Sequence, residues 1–216
     1  KVRNYLKKIS QKLQRLLLTI SLQLANPAAA SKLNYTIAGS WRNEFSSVWQ
    51  REEYNMEPMF DIQISVNGDD IYAQVLVRQT LVDFLRYHLE LTGSHIGCEH
   101  GSCGACTLRF NDDIVRGCLV LAVQANGAKV ETIEGLSDNG ELADLQSAFH
   151  ARNALQCGYC TPGMLLTAQA LLAENPNPSR DEIRIYLSGN YCRCTGYQAI
   201  VDAVESVAAT RNGVSS

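Results

Sequence analysis

The chain has 216 residues, 46% of them hydrophobic, and a formal net charge of −3. That composition suits one large or two small globular domains and excludes a collagen-like or wholly disordered chain. The charge is uneven, because residues 1–56 hold nine Lys and Arg against three Asp and Glu and the remainder is acidic.

Lys1 to Leu24 reads as a basic amphipathic helix: Leu6, Ile9, Leu13, Leu16, Leu17 and Ile20 recur at helical spacing, with Lys7, Lys8, Lys12 and Arg15 between them. The apolar run Leu16-Leu17-Leu18 is too short to span a bilayer. A secretion signal is mimicked by the basic start and by Ala28-Ala29-Ala30, but Thr19, Ser21 and Gln23 interrupt the apolar part and no Arg-Arg pair is present. Residues 1–56 are therefore expected to be an extension outside the fold, with Met56 or Met59 a natural start. The alternative is a surface anchor for an anionic membrane or a partner subunit.

From Phe60 the pattern alternates: Phe60, Ile62, Ile64 and Val66, a turn at Asn67-Gly68, then Ile71, Ala73, Val75 and Val77. That predicts a β-hairpin. Thr80 caps a helix with Leu81, Phe84, Leu85 and Leu89 on one face. After a cysteine-rich loop come a strand over Thr107 to Phe110, a turn at Asn111-Asp112-Asp113, a strand from Ile114 and another over Lys129 to Ile133. Residues 57–134 thus read as a small α+β domain.

Residues 135–216 read as helical. Leu142, Leu145 and Phe149 mark one helix, Thr161-Pro162 opens a second that Asn175-Pro176 stops, Ser179-x-x-Glu182 boxes a third ended by Gly189, and Ile200, Val201, Val204 and Val207 mark a fourth. Four short helices predict a compact bundle. Met164, Leu165 and Leu166 are expected in its core rather than at an interface.

All eight cysteines fall between residues 98 and 194. An even number invites a disulfide framework, but Cys103/Cys106, Cys157/Cys160 and Cys192/Cys194 are close pairs whose sulfurs can converge on metal. Cys98-x4-Cys103-x2-Cys106, followed by Cys118, has the plant-type ferredoxin spacing for a [2Fe-2S] cluster. Gly97, Gly101 and Gly104 let the backbone curl so that N–H groups point at the sulfurs. His100 is read as a surface residue, since four cysteines complete the set and Rieske sites use two histidines.

The second group, Cys157, Cys160, Cys192 and Cys194, sits where helices begin or turns end. The helix opening at Thr161-Pro162 favours thiolates beside its N-terminus. Four thiolates suit either iron-sulfur or zinc, and the residues alone leave both open.

The strings GCEHGSCGACT (97–107), LQCGYCTPGM (155–164) and LSGNYCRCTGY (187–197) resemble the small iron-sulfur subunit of the molybdenum hydroxylase family, which includes xanthine dehydrogenase, aldehyde oxidoreductase and carbon monoxide dehydrogenase. The likeness covers about residues 58–208 and is nearest to the separate small subunits of the carbon monoxide dehydrogenase type. It implies a β-grasp ferredoxin domain followed by an all-α four-helix domain, each with a [2Fe-2S] cluster. It also implies a large partner subunit with a molybdenum-pterin centre and a medium one with FAD. By the same resemblance Cys157, Cys160, Cys192 and Cys194 hold the molybdenum-proximal cluster, Cys98, Cys103, Cys106 and Cys118 the flavin-proximal one, and Gln156 and Cys194 lie against the pterin.

The chain has no G-x-G-x-x-G fingerprint, Walker loop or nucleophile elbow. Substrate chemistry is therefore expected on another chain, with no catalytic residue here and no nucleic-acid partner. Cluster-dependent folding points to the reducing cytoplasm, with a periplasmic or membrane-peripheral place as the alternative.

Overall fold

Strand β1 (Met59–Val66) turns into β2 (Asp69–Leu76) through Asn67 and Gly68, at φ 53° and 94°. Val66 pairs with Asp69, so the loop has two residues with both φ positive, the primed turn whose twist suits a hairpin. The same device recurs between β3 (Thr107–Phe110) and β4 (Asp113–Arg116), where Asn111 and Asp112 stand at φ 48° and 75°. These features belong to a computed structural model of the chain, which describes residues 58–213. Residues 1–57, and with them the expected basic amphipathic helix and the membrane or partner contact considered for it, lie outside the described residues.

The short strand β5 (Lys129–Glu131) joins the two hairpins into one five-stranded sheet of order β2-β1-β5-β3-β4. It runs parallel to β1 and antiparallel to β3. Both turn asparagines reach toward it: Asn111 Oδ1 accepts from the Lys129 N–H at 2.8 Å, and Asn67 Oδ1 accepts from the Thr132 N–H at 2.8 Å. The latter bond helps to end the strand. The expected strand over Lys129 to Ile133 is thus shorter, and Ile133 instead opens a helix, α2 (Ile133–Asp138).

Helix α1 (Leu81–Tyr87) is capped by Thr80, whose hydroxyl accepts from the Asp83 N–H at 3.2 Å. It lays Leu81, Phe84 and Leu85 on Ile62, Ile64, Val66, Val75, Leu108 and Val130, the inward residues of the sheet. A short 3-10 turn, Ala122–Ala125, completes that core.

The helical half contains α3 (Ala143–Ala151), α4 (Thr161–Glu174), α5 (Arg180–Leu187) and α6 (Gln198–Arg211). Each starts within a residue or two of its sequence signal, because those signals are local: Pro within the first turn of α4, and a Ser179/Glu182 capping box on α5. Met164, Leu165 and Leu166 are buried, and with Leu136, Leu145, Phe149, Ile183 and Val204 they form a second core. The two halves group as one compact unit over residues 57–216. Arg109 of β3 ties them together, donating to Glu131 at 3.1 Å and to Glu141 at 2.6 Å, and Gln169 of α4 also donates to Glu141. Arg109 holds the Glu141 carboxyl below the usual range against the opposing effect of burial.

Candidate metal centres

The loop from Gly97 to Cys106 leaves α1 and returns as β3, and three of its residues take left-handed conformations: Glu99, Gly101 and Gly104 at φ 56°, 85° and 74°. Alternating such residues with ordinary ones turns successive N–H groups inward, a concavity that favours anions. Cys98 shows the effect. The His100 and Cys103 backbone N–H groups donate to its sulfur, the latter at 3.3 Å, and the thiol falls to about 6. His100 is exposed, as expected of a surface residue, with Nδ1 2.6 Å from the Cys98 carbonyl.

Cys106 and Cys118 belong to the interior. They pack with Val82 of α1, and their backbones are joined through the Gly117 N–H donating to the Cys106 carbonyl at 3.0 Å. Burial pushes the Cys106 thiol up to about 11, with the neighbouring Cys118 contributing.

The second group is assembled from two loops. Cys157 and Cys160 precede α4, with Gly158 at φ 81° between them, and Cys192 and Cys194 lie between α5 and α6. Cys157 Sγ and Cys194 Sγ are 3.5 Å apart and both exposed. Burial pushes Cys160 up to about 12, aided by its hydrogen bond with Cys192. Cys192 is lowered in spite of burial, because the Thr195 hydroxyl and N–H donate to its sulfur at 3.1 and 3.4 Å. Cys194 is raised, chiefly by its hydrogen bond with Cys157. Gln156 Nε2 donates to the Cys194 carbonyl at 3.1 Å, so these two exposed residues are neighbours.

The thiols approach in twos: Cys106 beside Cys118, Cys160 beside Cys192, Cys157 beside Cys194. Among the described residues no three His, Cys, Asp or Glu side chains gather around a single-ion position. Two thiolates on each of two irons is the donor pattern of a [2Fe-2S] core, and the residues present fit that group.

Sequence reasoning missed what joins the groups. The Tyr191 N–H donates to the Cys103 carbonyl at 2.8 Å, linking the residue before Cys192 directly to a cysteine of the first group. Asn190, 1% exposed, donates through Nδ2 to the Gly104 carbonyl at 3.2 Å and accepts from the Thr167 hydroxyl at 3.0 Å. His95 stacks on Tyr159 with ring centroids 4.4 Å apart, and Tyr159 Oη donates to the Ile96 carbonyl at 2.6 Å. Tyr191 and Asn190 stand inside the 187–197 string, yet only spatial proximity to residues 103–107 reveals their part.

Known proteins align with this arrangement. Residues 64–132 match a family described as a 2Fe-2S iron-sulfur cluster binding domain, and residues 132–205 one described as a [2Fe-2S] binding domain. The chain is 51% identical to caffeine dehydrogenase subunit gamma of Pseudomonas sp. (strain CBB1), over 69% of this chain and 91% of that one. It is also 51% identical to the nicotine 6-hydroxylase small subunit of Paenarthrobacter nicotinovorans, over 67% and 87%. The iron-sulfur-binding subunit PaoA of aldehyde oxidoreductase from Escherichia coli (strain K12) is 40% identical, over 68% and 71%. Among solved structures, quinoline 2-oxidoreductase from Pseudomonas putida 86 matches at TM-score 0.67 and 50% identity, covering 73% of this chain and 99% of that one.

Proposed function

This chain belongs to the small iron-sulfur subunits of the molybdenum hydroxylase family, the non-catalytic subunits of oxidoreductase complexes, and we propose that it relays single electrons from a molybdenum-pterin centre on a large partner subunit, through two [2Fe-2S] clusters, to FAD on a medium one. The observation that carries this reading is the 2.8 Å hydrogen bond from the Tyr191 N–H to the Cys103 carbonyl. It supplies a short bonded route between a ligand of one group and the neighbour of a ligand of the other.

Cys98, Cys103, Cys106 and Cys118 would hold one cluster, and Cys157, Cys160, Cys192 and Cys194 the other. Each core stores one electron at a time when bound. The chain's own contribution is to supply thiolates, orient backbone N–H groups toward them and keep the two loops in contact. The exposed Gln156 and Cys194, joined at 3.1 Å, support a pterin contact on that face and with it an upstream position for the second group. The sheet order with α1 packed on one face supports the β-grasp reading of the first half, and the four longer helices support the bundle reading of the second. No helix among the described residues is long and apolar enough to cross a membrane, and the thiol chemistry favours assembly in a reducing compartment such as the cytoplasm.

Metal and sulfide analysis with EPR of the dithionite-reduced full-length chain tests this. We expect about four irons and about four acid-labile sulfides per chain, two of each per core, and two distinct reduced-cluster signals. Iron in one group and zinc in the other would overturn it.

A further inference from the structure

Arg116 ends β4, two residues before Cys118, and its half-buried side chain crosses to the helical half. Nη1 donates to the Thr107 hydroxyl, and Nη2 donates to the Gly189 carbonyl at 2.7 Å and to Asn190 Oδ1 at 3.3 Å. Each of these partners is neutral. Four other arginines are matched by carboxylates: Arg109 by Glu131 and Glu141, Arg180 by Asp202 and Glu205, Arg184 by Asp181, Arg211 by Asp144. The half-buried Arg86 donates to the Thr92 and Ser94 carbonyls, so what sets Arg116 apart is that its neutral partners lie on both ligand loops. Among the described residues no carboxylate forms an ion pair with Arg116. A partly buried charge without a counter-charge is costly, and a nearby anion would offset it.

Its partners lie on the ligand loops of both cysteine groups. Thr107 follows Cys106, and its hydroxyl donates at 2.6 Å to the carbonyl of Gly104, the residue after Cys103. Gly189 and Asn190 lie just ahead of Cys192. Glycine is required for this close approach: a Cβ on Gly189 would meet Arg116 Nη2 at 2.7 Å, and one on Gly104 would meet the Gly189 carbonyl at 2.6 Å. The backbone has been cleared so that one guanidinium touches both loops.

We propose that Arg116 is the shared counter-charge of the two cluster sites, a positioning residue that joins their loops and favours the reduced state of both. The proposal rests on the relay reading above. Two ferric ions, two sulfides and four thiolates sum to a dianion, and one added electron makes a trianion. A fixed cation in a partly buried setting lowers the cost of that electron and of holding both sites reduced together. Passage of the electron from one site to the other moves no proton and breaks no bond.

The test is an EPR-monitored redox titration of the cluster-loaded complex. For Arg116→Gln, which removes the charge and leaves a shorter polar side chain, we expect both signals to persist while the one-electron reduction constants of both clusters fall about tenfold, equivalent to about 59 mV. Arg116→Lys keeps the charge and should stay within about threefold of the parent. Unchanged constants in Arg116→Gln, or equal falls in the Gln and Lys variants, overturn the proposal. If Arg116→Gln loses iron, Arg116→Lys decides: constants within about threefold of the parent sustain the proposal, and an about tenfold fall with the charge retained overturns it. A parent chain without two iron-sulfur signals is a separate failure, that of the relay reading.

Discussion

Cys106 and Cys118 are buried and pack under α1 with Val82, whereas Cys157 and Cys194 are exposed and held by loops that lean on Gly158 and Thr195. Cys106 and Cys118 share the interior of their half and are held by the fold around them, while Cys98 and Cys103 of the same group are half-buried. The second group has Cys160 and Cys192 packed against the helical core and its other two thiols toward solvent. The first group is thus the more buried of the two, and the difference tells which substitutions reach the fold and which reach only the thiol sites.

The largest effect is expected where those roles coincide. Cys106→Ser should lose about half the iron and also destabilise the metal-free chain by about 2–3 kcal/mol, because a buried hydroxyl replaces a core thiol. Cys194→Ser should lose a similar share of iron yet leave metal-free stability within about 0.5 kcal/mol, since its site is exposed. Iron analysis with urea unfolding checks both, and equal destabilisation would break the comparison.

The next prediction concerns the seam between the halves. Gly163 of α4 faces the Gly104 carbonyl so closely that an added Cβ collides with backbone. Gly163→Ala should therefore cost about 1–3 kcal/mol by overpacking. An unfolding midpoint equal to the parent's would show that the seam is looser than described.

The smallest effect lies farther from the thiols, at the Arg109–Glu141 pair. The folded carboxyl is depressed, so its stabilisation is present above the unfolded carboxylate range and disappears as pH falls through the folded value. Glu141→Gln should cost about 1 kcal/mol near neutrality and converge with the parent in acid. A constant difference across pH would assign the cost to packing instead of charge.

Much of the fold could be read in advance because its signals span only a few residues. Alternation from Phe60 to Val77 about Asn67-Gly68, the Thr80 cap and the Ser179/Glu182 box each act within a turn or a strand, and each appears as expected. Helix α2 was hidden because Val130 and Ile133 continue an apolar pattern, and the bond from Thr132 to Asn67 that helps to interrupt it spans 65 residues. The spacing from Cys98 to Cys118 likewise pointed to a cluster unaided, while the second group needed the family resemblance to favour iron over zinc.

The sequence by itself determined most of the secondary elements, the two sets of thiols and the cluster chemistry of the first set, because those depend on neighbours along the chain. Tertiary structure decided which thiols are buried, that Tyr191 meets Cys103, and that Arg116 binds both ligand loops. Arg116 reaches Gly189 across 73 residues and Asn190 reaches Gly104 across 86. No periodicity or local spacing encodes contacts of that separation. They exist only once the two cores pack against each other and three glycines let the backbones meet.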